Sequence, residues 1–468
     1  MHYLSTICVL LLLSFYTPTA SAQPSATQLD ALMEDLWEQT QVAGMALSVS
    51  QSDSMIYSKA WGMADAKGEI PMKPTTRVRT ASVAKVLTAT ALGKLATDGK
   101  LDFDKPLKSY LPYLKAPYAN LTTRQIAGHT AGIPHRPASQ KAQNKHYTDV
   151  KETLPFFDKV SLLFEPDMAY KYSTLGYNLL AILIQEISGK PYADFMKEDI
   201  FMPLHMNQTA PDDHTVFSEE DAQMYYLKKG KLKQEKKIQD GSYKLAGAGF
   251  RSTSEDLVHM MRAYADGFIS ETVVQEMFRS HRLGTGEDTQ VGIGWRINRD
   301  ISGNPTIEHA GSWQGARTVI VYYPEQDLAI SIMINTKCTF FIEETAHLIA
   351  EYFLHEAKAP EEWETPPKQL EVLNNRLDGG VETYAGEIKT EADGTPIMYV
   401  ETERDWLKQN KLFPMPTADH FALSTVYGLL YLRLAFTPNC VGKLFLYQTL
   451  KDPYHMNQKP MLELREKL

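Results

Sequence analysis

Apolar residues at Leu29, Leu32, Met33, Leu36 and Trp37 recur at helical spacing and predict a helix over Thr27–Gln39. Two runs follow, Met45–Ser50 and Ser54–Trp61, joined by a polar turn and read as paired strands. A helix from about Ser82 to Thr97 sets Val83, Val86, Leu87, Ala91 and Leu95 on one side and stops at Gly99. Another, from about Gly176 to Ile187, ends at Gly189 and Pro191. Far along the chain, Arg317–Tyr323 and Leu328–Ile334 flank the turn Pro324-Glu325-Gln326-Asp327, and a helix over Glu343–His355 follows. Strands early and late with helices between predict an α+β fold: an antiparallel sheet in which both ends of the chain pair, flanked by helices and beside an all-helical cluster.

Composition then shifts. Pro360, Pro366 and Pro367 mark a linker over residues 359–369, so the principal domain is expected at 23–358. Residues 370–468 read as a small antiparallel β domain, from the strand-like runs Ile397–Glu401, Phe421–Val426 and Leu430–Phe436. Within the principal domain, Arg136–Glu152 is polar and reads as a surface excursion. Six lysines between Met224 and Ile238, with Gly230 among them, read as a solvated hairpin. At the start, the apolar run Ile7–Phe15 and then Ala20-Ser21-Ala22 predict a signal peptide over residues 1–22, cut before Gln23, and hence a periplasmic or extracellular protein. No later stretch approaches the roughly 20 apolar residues of a transmembrane helix.

With 43% apolar and 22% charged residues the chain can bury a full core, and a formal charge of −9 argues against a nucleic-acid partner. Of three cysteines, Cys8 falls in the leader, and Cys338 and Cys440 are too few for a disulfide scaffold or a zinc site. Nothing in the pattern fixes an oligomeric state.

Several catalytic signatures are missing: Gly-x-Ser-x-Gly, His-Glu-x-x-His, a Walker loop and Cys-x-x-Cys. The Gly-x-Gly pairs at Gly247, Gly284 and Gly292 lack a third glycine and read as turns. What remains is Ser82-Val83-Ala84-Lys85, the chain's one Ser-x-x-Lys. A serine that opens a helix sits near free backbone N–H groups, and a lysine three residues on shares its face. To take the serine proton that lysine must be neutral, so its pKa has to fall from about 10.4 through burial or neighbouring positive charge.

Two further motifs, Tyr172-Ser173-Thr174 before a helix and His309-Ala310-Gly311-Ser312 before the late strands, follow in order. Together the three motifs resemble the penicillin-binding-protein and class C β-lactamase-like serine hydrolases, and the Tyr172–Tyr177 run looks most like the serine β-lactamase-like protein branch. The resemblance extends to Gly128-His129-Thr130-Ala131-Gly132-Ile133-Pro134 and to Phe164-Glu165-Pro166. It implies a β-lactamase/transpeptidase-like fold, an acyl-enzyme on Ser82, Lys85 and Tyr172 as the general-base pair, and no metal or cofactor. It also implies an oxyanion hole from the N–H groups of Ser82 and Ser312, with His309, Gly311 and Thr174 lining the substrate site. His129 is assigned to structure.

Two positions depart from the family pattern. Thr174 stands where Asn is usual, and His-Ala-Gly replaces Lys-Thr-Gly. An imidazole of ordinary pKa, about 6.5, would be mostly neutral at pH 7 and gain charge toward pH 6, so carboxylate recognition is expected to weaken at neutral pH unless Arg317 supplies the charge. The expectation is therefore a serine hydrolase of esters or peptide amides, with a D-alanyl-D-alanine carboxypeptidase or β-lactamase as the alternative. A slow binding or assembly protein that keeps the hydrolase fold is the alternative of another class.

Overall fold

The structure, a computed structural model, describes residues 25–355 apart from 144, 159, 214–217, 301 and 339–340, and in the C-terminal segment residues 370–375, 381–390, 396–402, 409–415, 420–425, 428–433, 442–445 and 462–466. The expected signal peptide over residues 1–22, the expected linker over residues 359–369 and Cys440 lie outside the described residues.

Helix α1 (Ser25–Thr40) leads into strands β1 (Gly44–Gln51), β2 (Ser54–Asp65) and β3 (Ile70–Pro71). Near the end of the principal domain come β4 (Arg296–Arg299), β5 (Pro305–Trp313), β6 (Ala316–Tyr323) and β7 (Leu328–Ile334). All seven form one antiparallel sheet in the order β3-β2-β1-β7-β6-β5-β4. The early and late strands meet at its centre, Met45 opposite Ile334 and Gln51 opposite Leu328. This is the pairing that the sequence pattern predicts.

Alternation along the central strands divides the interior into two cores. Met45, Leu47 and Val49 of β1, with Val319, Val321 and Tyr323 of β6, pack under α1 and under α4 (Ile342–Leu354). Ala46, Ile320, Tyr322 and Met333 face the other way, into a core shared with α2 (Ala84–Thr97) and α3 (Gly176–Ser188). Because β7 is covered on both faces, every residue of Leu328–Ile334 is buried, including Ser331.

Two helices differ from their sequence pattern in an instructive way. The α2 segment predicts one apolar side, yet every residue from Ala84 to Gly93 is buried. Its hydroxyls are satisfied inside: Thr88 Oγ1 lies 2.7 Å from the Tyr192 hydroxyl, and Thr90 Oγ1 lies 2.9 Å from that of Tyr264. The helix also starts at Ala84, after a 3₁₀ turn over Ala81–Val83. The lysine-rich segment folds as the expected hairpin, Tyr225–Lys228 against Lys231–Gln234, with Lys229 (φ 53°) and Gly230 (φ 67°) supplying the two left-handed residues of a tight turn.

Beyond the linker, strands β8 (Leu370–Asn375), β9 (Val381–Thr390), β10 (Pro396–Val400), β11 (Gln409–Pro414), β12 (His420–Thr425), β13 (Gly428–Arg433), β14 (Gly442–Phe445) and β15 (Leu462–Glu466) close into an antiparallel barrel. The β8–β15 pairing closes it, Leu370 opposite Glu466. The barrel meets α1 and α4 through β12 and β13. Met415 and Ala422 are buried in the same core cluster as Leu29, Leu32 and Ile349, and Lys411 Nζ lies 2.8 Å from Asp35 Oδ1.

That shared cluster sets the expected behaviour of a chain ended at residue 357. It keeps the sheet and the helical core but leaves the outer faces of α1 and α4 wet, so its melting temperature falls by several degrees in calorimetry. Equal melting temperatures would show that the barrel adds nothing to that core.

Candidate functional site

Ser82 lies in the 3₁₀ turn that feeds α2, at the positive end of the helix dipole. The turn is fixed from both sides. Thr80 N–H donates to the Phe250 carbonyl at 2.9 Å, and Thr318 Oγ1 of β6 donates to the Arg79 carbonyl at 3.1 Å. Ala81, fully buried, is held at φ +46°, a left-handed conformation that costs an alanine roughly 1–2 kcal/mol. The surrounding packing supports this strain, and it aims the following residue out of the helix line.

Lys85 follows one turn later and has no exposure to water. Its Nζ donates to Thr174 Oγ1 at 3.1 Å and to the Gly247 carbonyl at 2.7 Å, and lies 4.7 Å above the centre of the Tyr172 ring. Neither oxygen is charged. Burial, and then the charge of Arg296, push the Lys85 pKa well below its ordinary value. A neutral amine has two hydrogens, which these two acceptors take, and keeps a lone pair.

The Tyr172 hydroxyl feels the Ser82 side chain, which favours its ionised form. Burial nevertheless raises its pKa to about 12, against the lowering effects of Ser82 and Arg296. Burial thus works against the charged form of both members of the pair, lowering the lysine and raising the phenol. The loops that carry no chemistry of their own hold this tyrosine. His129 (φ 63°) lies 4.4 Å from the Tyr172 ring centre to centre, and its Nδ1 accepts from the Ser173 N–H at 3.2 Å. Ser173 Oγ donates to the Pro134 carbonyl at 2.8 Å, and the Lys171 N–H donates to the His129 carbonyl at 2.9 Å. The Gly128–Pro134 loop is itself clasped by the segment after it: Leu163 N–H donates to the Gly132 carbonyl at 2.8 Å, and Thr130 Oγ1 donates to Asp167 at 2.8 Å. Gly132 (φ 74°) must be glycine, since a Cβ there would lie 2.5 Å from the Phe164 carbonyl oxygen.

On the sheet side, β5 brings Gly311 against the nucleophile turn. A Cβ on Gly311 would lie 2.5 Å from the Thr80 carbonyl oxygen and 2.8 Å from the Ser82 amide nitrogen. Ser312, opposite Arg317 in the strand register, is exposed and lines the same cavity as Ser82 and Thr174. His309 is 2% exposed, and its Nδ1 lies 2.8 Å from the Ala310 carbonyl. The expectation that it gains charge toward pH 6 does not hold: burial, then Arg296 and Lys85, push its pKa well below 6.5. Arg317, the other expected source of charge, is tied to Glu343 at 3.2 Å.

The structure thus brings Ser82, Lys85, Tyr172, Thr174, Gly311 and Ser312 to one place, with His309 in the wall behind Tyr172, ring centres 6.3 Å apart. Sequence reasoning missed Arg296, whose charge bears on Lys85, Tyr172 and His309 and which is paired with Glu343 at 3.3 Å. It also missed the Gly247 carbonyl. The signal was the Ala246-Gly247-Ala248-Gly249 run, because a Cβ on Gly247 would lie 2.7 Å from Thr174 Cγ2 and keep that carbonyl off the lysine. The polar stretch after Arg136, read as a surface excursion, lends Arg136 and Pro137 to the cavity wall. Among the described residues no cluster of three His, Cys, Asp or Glu could hold a metal, and no helix is long and apolar enough to cross a membrane.

A family model described as Beta-lactamase matches residues 29–352. Penicillin-binding protein 4* of Bacillus subtilis (strain 168) is 26% identical over 415 residues, spanning 82% of this chain and 88% of that relative. Among solved structures, the D-amino acid amidase from Ochrobactrum anthropi SV3 complexed with D-phenylalanine aligns with a TM-score of 0.61 at 24% identity, over 70% of this chain and 99% of that one. The octameric penicillin-binding protein homologue from Pyrococcus abyssi aligns with a TM-score of 0.61 at 22% identity, over 90% and 98%. At these identities the solved structures carry the fold alone.

The contact between β5 and the nucleophile turn sets one expected outcome. Gly311→Ala forces the strand and the Ser82 turn apart by several tenths of an ångström. Covalent labelling of Ser82 by a fluorophosphonate should then slow about a hundredfold, while the far-ultraviolet circular dichroism stays that of the wild type. Labelling at the wild-type rate would show that the close approach does not position Ser82.

Proposed function

The chain belongs to the β-lactamase family of serine hydrolases, and from that premise we propose that it forms an acyl-enzyme on Ser82, with ester or peptide-amide substrates, and releases the acyl group to water. The observation that carries this reading is a wholly buried lysine one turn after Ser82, held by two uncharged acceptors and 4.7 Å above the Tyr172 ring, with its pKa pushed well below the ordinary value. Those properties suit proton transfer out of a serine hydroxyl and do little for a binding protein.

In this reading the Ser82 oxygen attacks the substrate carbonyl, and its proton passes across the Tyr172 hydroxyl to the free electron pair of Lys85. Tyr172, with its pKa near 12, acts as a bridge that gives up one proton as it takes another. The lysine then becomes charged inside the protein, a state that the Tyr172 ring 4.7 Å away and the two oxygen acceptors stabilise. The negative oxygen of the tetrahedral intermediate is met by the N–H groups of Ser82 and Ser312, usually the largest contribution in acyl transfer. Lys85 returns its proton to the leaving group, and the same path run again with water frees the enzyme. Export is part of the proposal and rests on the leader pattern, the apolar run Ile7–Phe15 before Ala20-Ser21-Ala22.

Ser82→Ala should abolish acylation seen by intact mass and lower turnover of an activated ester at least a thousandfold. Wild-type turnover in that variant would sink the assignment. Lys85→Ala and Tyr172→Phe should each remove most activity, with the double variant little worse than either, because they serve one proton path. Strictly multiplicative losses would show that they act independently.

The direction of the pH dependence follows from the depressed lysine. The neutral amine is the working form, so kcat/KM for an uncharged ester rises with pH through the lowered pKa of Lys85 and is flat above it. The midpoint should lie well below 10.5. A midpoint near the ordinary lysine value would mean that Lys85 is not the group that takes the proton.

A further inference from the structure

Two basic side chains at the mouth of the cleft, Arg136 and Lys244, have no acidic counterpart among the described residues. The cavity at Ser82, about 60 Å³, is lined by Thr174, Asn178, Ser312, Arg136 and Lys244 among others, and no carboxylate takes part. Arg136, Tyr243, Lys244 and Trp313 also border a wider outer cavity of about 380 Å³. One continuous surface therefore leads from the nucleophile to both charges.

The neighbouring arginines Arg79, Arg296 and Arg317 are paired with carboxylates. Arg79 pairs with Asp212 at 2.6 Å, and Arg296 and Arg317 share Glu343. Among the described residues neither Arg136 nor Lys244 makes an ion pair or a side-chain hydrogen bond, and Arg136 is exposed. Lys244 is instead held over the Trp313 ring, its Nζ 3.6 Å from the centre. The acid of the outer cavity, Glu235, accepts from Gln314 Nε2 at 3.2 Å.

We propose that Arg136 and Lys244, set beside Trp313, form a subsite for a carboxylate of the substrate, carried on its acyl or its leaving portion. This rests on the Ser82 reading and names the substrate class for it. Two considerations support it. Trp313 comes directly after Ser312, so a substrate seated along β5 runs past the indole under Lys244 Nζ. Second, burial and the charges of Lys85, Arg136 and Arg79 lower the Lys244 pKa to about 6, so at neutral pH the standing charge is that of Arg136, and an entering anion draws a proton onto Lys244 as well. The subsite also answers the family's missing lysine: with His309 neutral, the charge for an anionic group comes from the helical side of the cleft. On a chain of net charge −9 such a local positive spot also steers anions to the site.

The test compares three chromogenic esters on the full chain: p-nitrophenyl butyrate, mono-p-nitrophenyl glutarate with a carboxylate on the acyl portion, and 3-carboxy-4-nitrophenyl butyrate with one on the leaving portion. The readout is kcat/KM of each anionic ester divided by that of the neutral one. In Arg136→Gln and Lys244→Gln this ratio should fall about tenfold for one of the two anionic esters, and that ester identifies the portion bound. The exposed Arg136 also allows charge reversal: Arg136→Glu should turn the preference toward an ester bearing an ammonium group. In the wild type the ratio should fall as salt rises from 0.02 to 0.5 M, on the order of a Debye-screened contact. Ratios within twofold of wild type for both anionic esters in both glutamine variants would overturn the subsite while leaving the Ser82 reading intact. Failure of the wild type to turn over any of the three, together with no labelling of Ser82, would overturn that reading and the subsite with it.

Discussion

Burial works against the charge of Lys85, and much of the structure is arranged around that constraint. Lys85 is shut off from solvent, held by two uncharged acceptors, and sits near a further positive charge at Arg296. Burial of this kind needs a helix covered on every side, which is why α2 is buried all round rather than along one stripe. It also needs acceptors that carry no charge, since a carboxylate in their place would restore the ammonium. Thr174 and the Gly247 carbonyl meet that need. The substitution of Thr for the family's Asn leaves an oxygen acceptor for the lysine and removes an amide that could have reached substrate.

The histidines follow the same logic. His129 and His309 are buried and lie in the field of Lys85 and Arg296, so both are held neutral. His135 is pushed down to about 4 by burial and Lys85. None of the three can act as a titrating switch near neutrality. They serve as flat polar plates: His129 carries the Tyr172 ring and accepts from Ser173, and His135 accepts from the Thr174 N–H at 3.3 Å.

The parts of the site written in short local patterns were legible in the sequence. Ser82 and Lys85 announce themselves by spacing at a helix start, and β6 and β7 by apolar runs on either side of the turn at Pro324–Asp327. The motif segments at His129 and Phe164 were recognisable without their purpose, because their work is done by contacts between loops far apart in sequence. Arg296 was invisible for a similar reason: it stands in a four-residue strand, and its influence passes through space rather than along the chain. Arg136 looked like part of a solvated excursion because exposure and site membership coincide there. The barrel strands could be seen one by one, but their closure depends on β8 meeting β15, which no local pattern records.

The centre of the sheet is built from residues that are strangers in sequence: the Gly44 N–H donates to Asn335 Oδ1 at 2.8 Å across 291 residues. At translation rates of about 5–20 residues per second, the first hairpin waits roughly 15–60 s for the strand that completes it. During that interval β1 presents an open edge rich in apolar side chains, the kind of surface that pairs with other chains. The native topology is therefore a late event in the life of the polypeptide, governed by loop closure over most of its length. Quality control of this protein is a matter of shielding one short strand until its distant partner emerges.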